Sequence, residues 1–373
     1  MTADGLYRLW VPFETVQTSV FLMLTPEGPV LYDCATTAQD VETLILPALA
    51  RMGVSPGRLH AIVISHAHGD HCGGLSALLQ RAPQLRVYAL DPQLSPGAVH
   101  IPDDGEILFG CLQALYLPGH TSDCLGLYDR RNDLLLTADA LQLQGIDRYG
   151  CGVSLPDEYA ATIDKIRTLS PHILLTSHSY APYGEKAVGD AAVTRYLDGC
   201  MNVLDEIRAF ISVCPHQDAE TITAAFRAQH PQRPLLPVST VRALQHSIQT
   251  ASDKPARAGI TWSSVEKQML RDLWQQGKSI EDIAARLDRT PNAIHYRLEL
   301  FGLLPPERSH PSARHRLWSP QHIDQLTQLH AGGCPAEEIA ARLGYSVESI
   351  RARLFYLGLA KDAPVSLRKN NTQ

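Results

Sequence analysis

The chain carries a dense group of side chains that bind metal ions, the sequence HAHGDH at residues 66–71. The group follows the apolar run 61–64, whose β-branched residues predict a buried strand that ends where the group begins. Three imidazoles and a carboxylate suit zinc or iron better than calcium or magnesium, which prefer oxygen ligands. With 16 histidines in 373 residues, so dense a group predicts a metal site rather than a loop that happens to be rich in histidine.

Three later apolar runs end in the same way, each shortly before a residue that can bind metal. The runs occupy 114–117, 134–137 and 173–176, and the residues that follow them are His120, Asp139 and His178. A single histidine or aspartate at a strand end is more often structural. Four such ends in one chain predict loops at one rim of a sheet core, all supplying ligands.

These residues predict two metal sites that share one ligand. The first site takes His66, His68 and His120, and the second takes Asp70, His71 and His178, with Asp139 placed to bridge them. Two divalent ions about 3.5–4 Å apart can lower the pKa of a shared water from about 15.7 to near 7. We therefore predict hydrolysis by a metal-bridging hydroxide, with Asp70 as the candidate catalytic residue as well as a ligand. Zinc is the expected metal, and iron and manganese are alternatives.

The ligands and the short sequences around them resemble the metallo-β-lactamase superfamily. The sequences are LYD at 31–33, PGHT at 118–121, LTAD at 136–139 and SH at 177–178. The resemblance covers roughly residues 6–200 and implies an αββα sandwich with a dimetal site at one edge of its two sheets. It also implies that Asp33 supports the histidine loop from behind.

Within that superfamily, the ligand set is similar to one branch in particular. Asp70 and His71 together resemble the glyoxalase II, lactonase and thioesterase-like proteins. True β-lactamases usually carry a cysteine in the second site, and Cys124 does not match that cysteine because it lies just after His120. The resemblance implies a small-molecule substrate that is an ester, a thioester or a lactone.

Charge is distributed unevenly along the chain. Residues 1–251 hold 16 basic and 26 acidic side chains, a net charge of −10, and residues 252–373 hold 17 and 13, a net charge of +4. This asymmetry predicts an acidic catalytic body and a mildly basic appendage that could face nucleic acid. No signal peptide or membrane span is evident, and the eight cysteines form no C-x-x-C pair. These features favour a cytoplasmic protein.

The C-terminal third contains an internal repeat with an offset of 56 residues. Trp262 corresponds to Trp318 in the second copy, for example, and the sequence IAARL occurs at 283–287 and at 339–343. Each copy predicts three helices, which in the first copy lie at about 263–276, 279–287 and 291–300.

The short turn before the third helix is typical of helix-turn-helix geometry. The copies loosely resemble Myb/SANT-like and GcrA-like DNA-binding modules, and Arg and Asn are suited to reading base edges. The candidate DNA contacts are Asn292, His295, Arg297, Arg351 and Arg353. The alternative is a pair of three-helix modules used for protein contacts or dimerisation, and a homodimer is compatible with the sequence.

The predicted organisation is α/β, followed by two small all-α modules. The expected segments are a catalytic domain at 1–200, a helical extension walling the substrate pocket at 201–251, a linker at 252–260, and repeats at 261–305 and 317–361. The favoured function is a dimetal hydrolase coupled to DNA. The alternatives are a metal-dependent nuclease or phosphodiesterase, which the acidic body disfavours, and an effector sensor that regulates transcription.

Overall fold

The computed structural model describes residues 4–95, 99–214, 217–250, 262–301, 303–304, 320–343, 347, 350–351 and 354. The chain divides into two compact units, residues 1–306 and residues 307–373. In the described part of the chain, no helix has both the length and the apolar character needed to cross a membrane.

The first of two sheets in the larger unit has six strands that follow one another in chain order. They are β1 (Leu6–Phe13), β2 (Val16–Thr25), β3 (Gly28–Tyr32), β4 (Ala61–Val63), β5 (Arg86–Tyr88) and β6 (Val99–His100). The first three strands are antiparallel hairpin neighbours, whereas β3 to β6 run parallel. Parallel strands end on the same side, so the chain leaves β3 and β4 at one edge of the sheet.

The second sheet also has six strands, in the order β12-β11-β10-β9-β8-β7. They are β7 (Ile107–Leu108), β8 (Leu112–Tyr116), β9 (Leu125–Asp129), β10 (Leu134–Ala138), β11 (Ile173–Tyr180) and β12 (Gly184–Val188). Only β10 and β11 pair in parallel. The ends of these two strands therefore lie side by side, and Asp139 and His178 are brought to one edge.

The two sheets pack face to face over a shared apolar core. Phe21 and Val63 from the first sheet meet Leu112, Leu127 and Leu136 from the second in one buried cluster. Alternate residues of a strand point to opposite faces, which is why the intervening positions must be covered by helices. The expected α/β class with two sheets is confirmed.

Helices cover both outer faces of the sandwich. Between β3 and β5 lie α1 (Ala38–Asp40), a π-helical segment (Val41–Ile45), α2 (Leu46–Arg51), a 3₁₀ turn (Pro56–Arg58), α3 (Gly69–Cys72) and α4 (Leu75–Arg81). On the second sheet lie α5 (Pro156–Leu169), α6 (Asp190–Ser212), α7 (Ala219–Gln229) and α8 (Val238–Gln249). Ile163, Leu197 and Val241 of these helices share a buried cluster with Leu135 and Leu174 of the sheet.

Three further helices complete the larger unit: α9 (Ser264–Gln275), α10 (Ile280–Leu287) and α11 (Pro291–Leu300). Ser263 caps α9 in a capping box with Glu266, as its sequence spacing predicts. Trp262, Ile283 and Leu298 lie in the small core of this bundle.

The smaller unit contains α12 (Pro320–Ala331) and α13 (Ala336–Leu343). Their bounds fall 56 residues after those of α9 and α10, and they bury Leu326, Ile339 and Leu343. Most of the third helix predicted for this copy, including Arg353, lies outside the described residues.

Candidate metal centre

Four chain segments bring the predicted ligands to one edge of the sandwich. The chain leaves β4 and passes through His66 to His68, which is the residue before α3, and α3 itself carries Asp70 and His71. His120 follows β8, and Asp139 follows β10 directly. His178 differs from expectation, since it lies inside β11 where the pairing with β12 is irregular, rather than in a loop beyond a strand ending at 176.

The first group of ligand atoms comes from three histidines. Nε2 of His66 lies 3.0 Å from Nδ1 of His68, and Nε2 of His120 lies 2.9 Å from the same atom. Ligand atoms around a tetrahedral zinc ion are roughly 3.3 Å apart, given zinc–nitrogen bonds of about 2.0–2.1 Å. The three nitrogens are therefore spaced as the ligands of one small cation would be.

The second group lies beside the first. Oδ2 of Asp70 is 3.4 Å from Nε2 of His71 and 3.2 Å from Nε2 of His178. The three side chains are almost fully buried, and their ligand atoms lie within 4.8 Å of one another. This set also has the composition and spacing of a small-cation site.

Asp139 faces both groups with the same oxygen. Its Oδ2 lies 3.8 Å from Nε2 of His66 and 3.7 Å from Nε2 of His120 in the first group. The same atom lies 3.4 Å from Nε2 of His71 and 3.4 Å from Nε2 of His178 in the second. A carboxylate in this position can be shared by two cations.

The other nitrogen of each Nε2-facing ring has a hydrogen-bond acceptor. Nδ1 of His71 donates to Oδ2 of Asp33 (2.8 Å), and Nδ1 of His120 donates to the carbonyl of Gly152 (2.6 Å). Nδ1 of His178 donates to the carbonyl of Gln17 (2.8 Å). A proton on Nδ1 leaves the lone pair on Nε2, so these acceptors select the tautomer that ligates a metal.

His66 is held in the same tautomer through a serine. Its Nδ1 lies 3.0 Å from Oγ of Ser65, which in turn donates to Oδ2 of Asp33 at 2.9 Å. The backbone amide of Ser65 donates to the other Asp33 oxygen at 2.7 Å. Asp33 thus supports one ligand of each group, which gives a physical form to the supporting role that the family resemblance implied.

Several supporting groups were missed by sequence reasoning. Thr18 donates from Oγ1 to Oδ2 of Asp70 at 3.0 Å, and Asp123 accepts the amide of Ala67, between His66 and His68, at 2.9 Å. The carbonyls of Gln17 and Gly152 have no side-chain signature that a sequence could reveal. In the sequence Thr18 looks like any other polar residue of a strand, so only its contact with Asp70 in the folded structure identifies it.

Two backbone features shape the ligand loops. Ala138 has a φ of 48°, a left-handed conformation that costs a residue with a side chain roughly 1 kcal/mol, and it turns the chain so that Asp139 faces the site. Gly119 has a φ of 148°, and a Cβ there would lie 2.6 Å from Cα of Tyr159. Only glycine allows the chain to pass Tyr159 this closely on its way to His120.

The pKa values follow from burial and from the opposite charges at the site. Burial raises the pKa of Asp139, but His178 and His71 outweigh it and hold that pKa well below its usual value. Burial likewise lowers the pKa of His178, yet Asp139 and Asp70 raise it to about 10. For His66, burial and the neighbouring His71 and His68 all act in one direction and hold its pKa well below the ordinary value. The site therefore holds ionised carboxylates together with at least one imidazole that is readily left neutral.

The candidate DNA contacts, unlike the metal ligands, do not lie together in one site. Asn292 is exposed, and His295 faces Glu299 at 3.4 Å. Arg297 is only 6% exposed, and its guanidinium lies 5.0 Å from the ring centre of Tyr116 and 5.3 Å from that of Trp262. In this arrangement Arg297 is not available to a base edge, because it joins α11 to the end of β8. Arg351 is exposed and pairs with Glu337, and Arg353 lies outside the described residues.

Comparison with known proteins agrees with this site. Residues 14–178 match the family model described as the metallo-beta-lactamase superfamily. A hydroxyacylglutathione hydrolase of Aeromonas hydrophila is 30% identical over 141 residues, which are 36% of this chain and 53% of that protein. One from Stenotrophomonas maltophilia is 27% identical over 197 residues, 52% of this chain and 72% of that protein. The aligned part of the chain thus spans about half the length of the first of these relatives.

A solved structure was also found to be similar. It is a metallo-β-lactamase family protein from Thermus thermophilus, 17% identical, with a TM-score of 0.49. The match covers 67% of this chain and 94% of that one.

Proposed function

We propose that this chain, whose residues 14–178 match the metallo-β-lactamase superfamily, hydrolyses a small thioester, ester or lactone with the aid of two divalent ions. The observation that carries the proposal is the position of Asp139, whose Oδ2 lies 3.4–3.8 Å from imidazole nitrogens of both ligand groups. A hydroxyacylglutathione is the first substrate to test, because the similar curated proteins bear the name of its hydrolase.

The residues present fit two bound cations. His71 presents Nε2 at 3.4 Å from an oxygen of Asp70 and 3.4 Å from one of Asp139, and that buried nitrogen makes no hydrogen bond of good geometry. Burial lowers the pKa of His71, but Asp70, Asp139 and Asp33 outweigh it and hold that pKa well above its usual value, so without metal the Nε2 that faces two carboxylates carries a proton. With Nδ1 already donating to Asp33, a cation would take the place of that proton. A set of imidazole and carboxylate ligands suits zinc, iron or manganese.

Two bound ions would lower the pKa of a shared water towards neutrality and polarise the substrate carbonyl. In the net reaction water adds to the acyl carbon, the bond to sulfur or oxygen breaks, and the leaving group departs with a proton.

Asp70 contributes chiefly as a ligand in this proposal. Burial raises its pKa, but His71 and His178 outweigh that effect and hold the pKa well below its usual value, which makes this carboxylate a weak base. Thr18 fixes the same carboxylate by donating to Oδ2. The catalytic value of Asp70 therefore lies in holding charge and geometry rather than in accepting a proton.

The experiment is a substrate panel with the purified full chain. It comprises a hydroxyacylglutathione, p-nitrophenyl esters, lactones and bis-p-nitrophenyl phosphate. We expect cleavage of the thioester or another acyl substrate, abolished by His68→Ala and unchanged by His172→Ala, since His172 is a half-exposed histidine that faces Asp190 away from the site. Cleavage of the phosphodiester alone would overturn the proposal in favour of a phosphodiesterase.

A further inference from the structure

We propose that Thr240, in the helical extension, is a positioning residue for His120, and that it acts by fixing the backbone carbonyl that orients this ring. The inference rests on the proposed dimetal function, because it concerns how firmly one ion is held. Thr240 lies outside residues 14–178, the part of the chain that matches the superfamily.

The first link runs from His120 to the segment 151–153. Nδ1 of His120 donates to the carbonyl of Gly152 at 2.6 Å, the shortest of the hydrogen bonds that orient the ligand rings. The ring lies so close that a Cβ at Gly152 would be 3.1 Å from Nδ1 and 3.2 Å from Cε1. Any shift of this backbone segment is therefore passed directly to the imidazole.

The second link fixes the segment itself. Oγ1 of Thr240 accepts a hydrogen bond from the amide of Val153 at 3.0 Å and donates one to the carbonyl of Cys151 at 2.8 Å. One hydroxyl thus holds the residues on both sides of Gly152. It lies in α8 and is only 1% exposed, so water cannot replace it without opening the structure.

A third contact completes the hold on Gly152. Oε1 of Gln142 accepts its amide at 3.0 Å, and Nε2 of Gln142 donates to the carbonyl of Asp139 at 2.8 Å. Gln142 thereby connects segment 151–153 to the loop that carries Asp139, and Thr240 connects the same segment to α8. The helical extension predicted to wall a substrate pocket thus has a further task, which is to set the orientation of one metal ligand.

The test compares zinc binding by the metal-free full chain carrying Thr240→Val or Thr240→Ser. Valine keeps the shape but removes both hydrogen bonds, and serine keeps the hydroxyl. We expect Thr240→Val to weaken the binding of the zinc ion held by the His120 group about tenfold, as changes to groups behind a ligand do. The affinity for the other zinc ion should stay within about twofold of the wild-type value. Thr240→Ser should restore wild-type affinity for both, as measured by competition with a chromophoric chelator.

The matched control is Thr223→Val in α7, because Oγ1 of Thr223 is buried and has no hydrogen-bond partner in the described part of the chain. Thermal unfolding of each metal-free variant separates a loss of folding from a loss of orientation. If Thr240→Val does not fold, Thr240→Ala removes the same bonds without adding a methyl group.

The inference and the proposed function would fail in different ways. If the folded valine or alanine variant binds each of the two zinc ions as tightly as the wild type does, the inference is overturned. Failure of the wild type to bind two zinc ions would instead overturn the proposed function.

Discussion

Nδ1 of His71 donates a 2.8 Å hydrogen bond to Oδ2 of Asp33, and neither side chain is accessible to solvent. Through Ser65 the same carboxylate also orients His66, so it stands behind one ligand of each metal group. Because β3 and β4 pair in parallel, the residues after them come together, and this topology places Asp33 below the histidine loop.

Asp33→Asn tests this support. An amide has one acceptor oxygen and one NH2 donor in place of the two acceptor oxygens of the carboxylate, so it cannot accept all the hydrogen bonds that Asp33 accepts from Ser65 and His71, and the tautomers of His66 and His71 are no longer fixed together. We expect zinc affinity to fall about 10- to 100-fold, as is typical for groups that orient ligands. Chelator competition measures it, and Asp190→Asn, which alters an exposed aspartate facing His172, is the control. Unchanged affinity in Asp33→Asn would show that the contact is structural only.

Metal binding should be coupled to proton release. In the metal-free chain Asp139 and Asp70 overcome the effect of burial and raise the pKa of His178 to about 10, so this ring carries a proton at pH 7–8 that a metal must displace. The pKa of His71, the other ring of this group, is also held well above its usual value, because Asp70, Asp139 and Asp33 outweigh burial. With a proton to displace from each ring, we expect the apparent affinity of that ion to rise by more than tenfold per pH unit between about pH 7 and 8.5. Calorimetry in buffers of different ionisation enthalpy counts the protons, and a pH-independent affinity would contradict this account.

The stability of the metal-free fold should depend on pH in the opposite sense to the metal affinity. The raised pKa of His178 gives the metal-free chain a stabilising contribution that is complete below the unfolded value of about 6.5. That contribution is lost as the pH rises towards about 10. The metal-free chain should therefore lose stability over this range in denaturant titrations.

Arg297 should matter for stability rather than for reading DNA. Its buried guanidinium lies over Tyr116 and Trp262, so Arg297→Ala should lower the free energy of unfolding by about 2 kcal/mol. Asn292→Ala, on the exposed face of the same helix, should change it by less than about 0.5 kcal/mol. Urea titration of the full chain measures both. If the Arg297→Ala variant is as stable as the wild type but binds DNA less tightly, Arg297 is a DNA contact, as the sequence pattern predicts.

Much of this architecture could be predicted from local pattern. The apolar spacing of the first repeat predicts α9, α10 and α11 to within about one residue at each end. The strand ends identify the ligand segments, because buried runs followed by polar ligands leave a strong local signal. The proximity of the ligands follows from sheet topology, which the family resemblance supplied.

What could not be predicted depends on contacts between distant parts of the chain. The carbonyl of Gly152 and the hydroxyl of Thr240 act through backbone geometry and leave no residue pattern. The sequence pattern predicts Arg297 as a DNA contact, because a helix-turn-helix pattern does not show which face of the helix packs against the rest of the chain. The repeat does mark a difference there, since Tyr296 corresponds to Ala352 in the second copy.

Tyr296 lies at the junction of α11 with the loop after His120. Burial raises its pKa above the usual range, as does the nearby Asp123. The first helical module therefore contacts the sandwich near the end of β8, where Arg297 also lies over Tyr116.

Hydrolysis by this chain should require two ions bound at this edge of the sandwich. The most direct measurement is the metal content of the purified full chain by mass spectrometry, followed by chelation and readdition of zinc. We predict two divalent ions per chain, loss of acyl-substrate hydrolysis when they are removed, and its return with zinc. A chain that binds one ion or none at saturating metal, or that hydrolyses the substrate equally well without metal, would contradict the account.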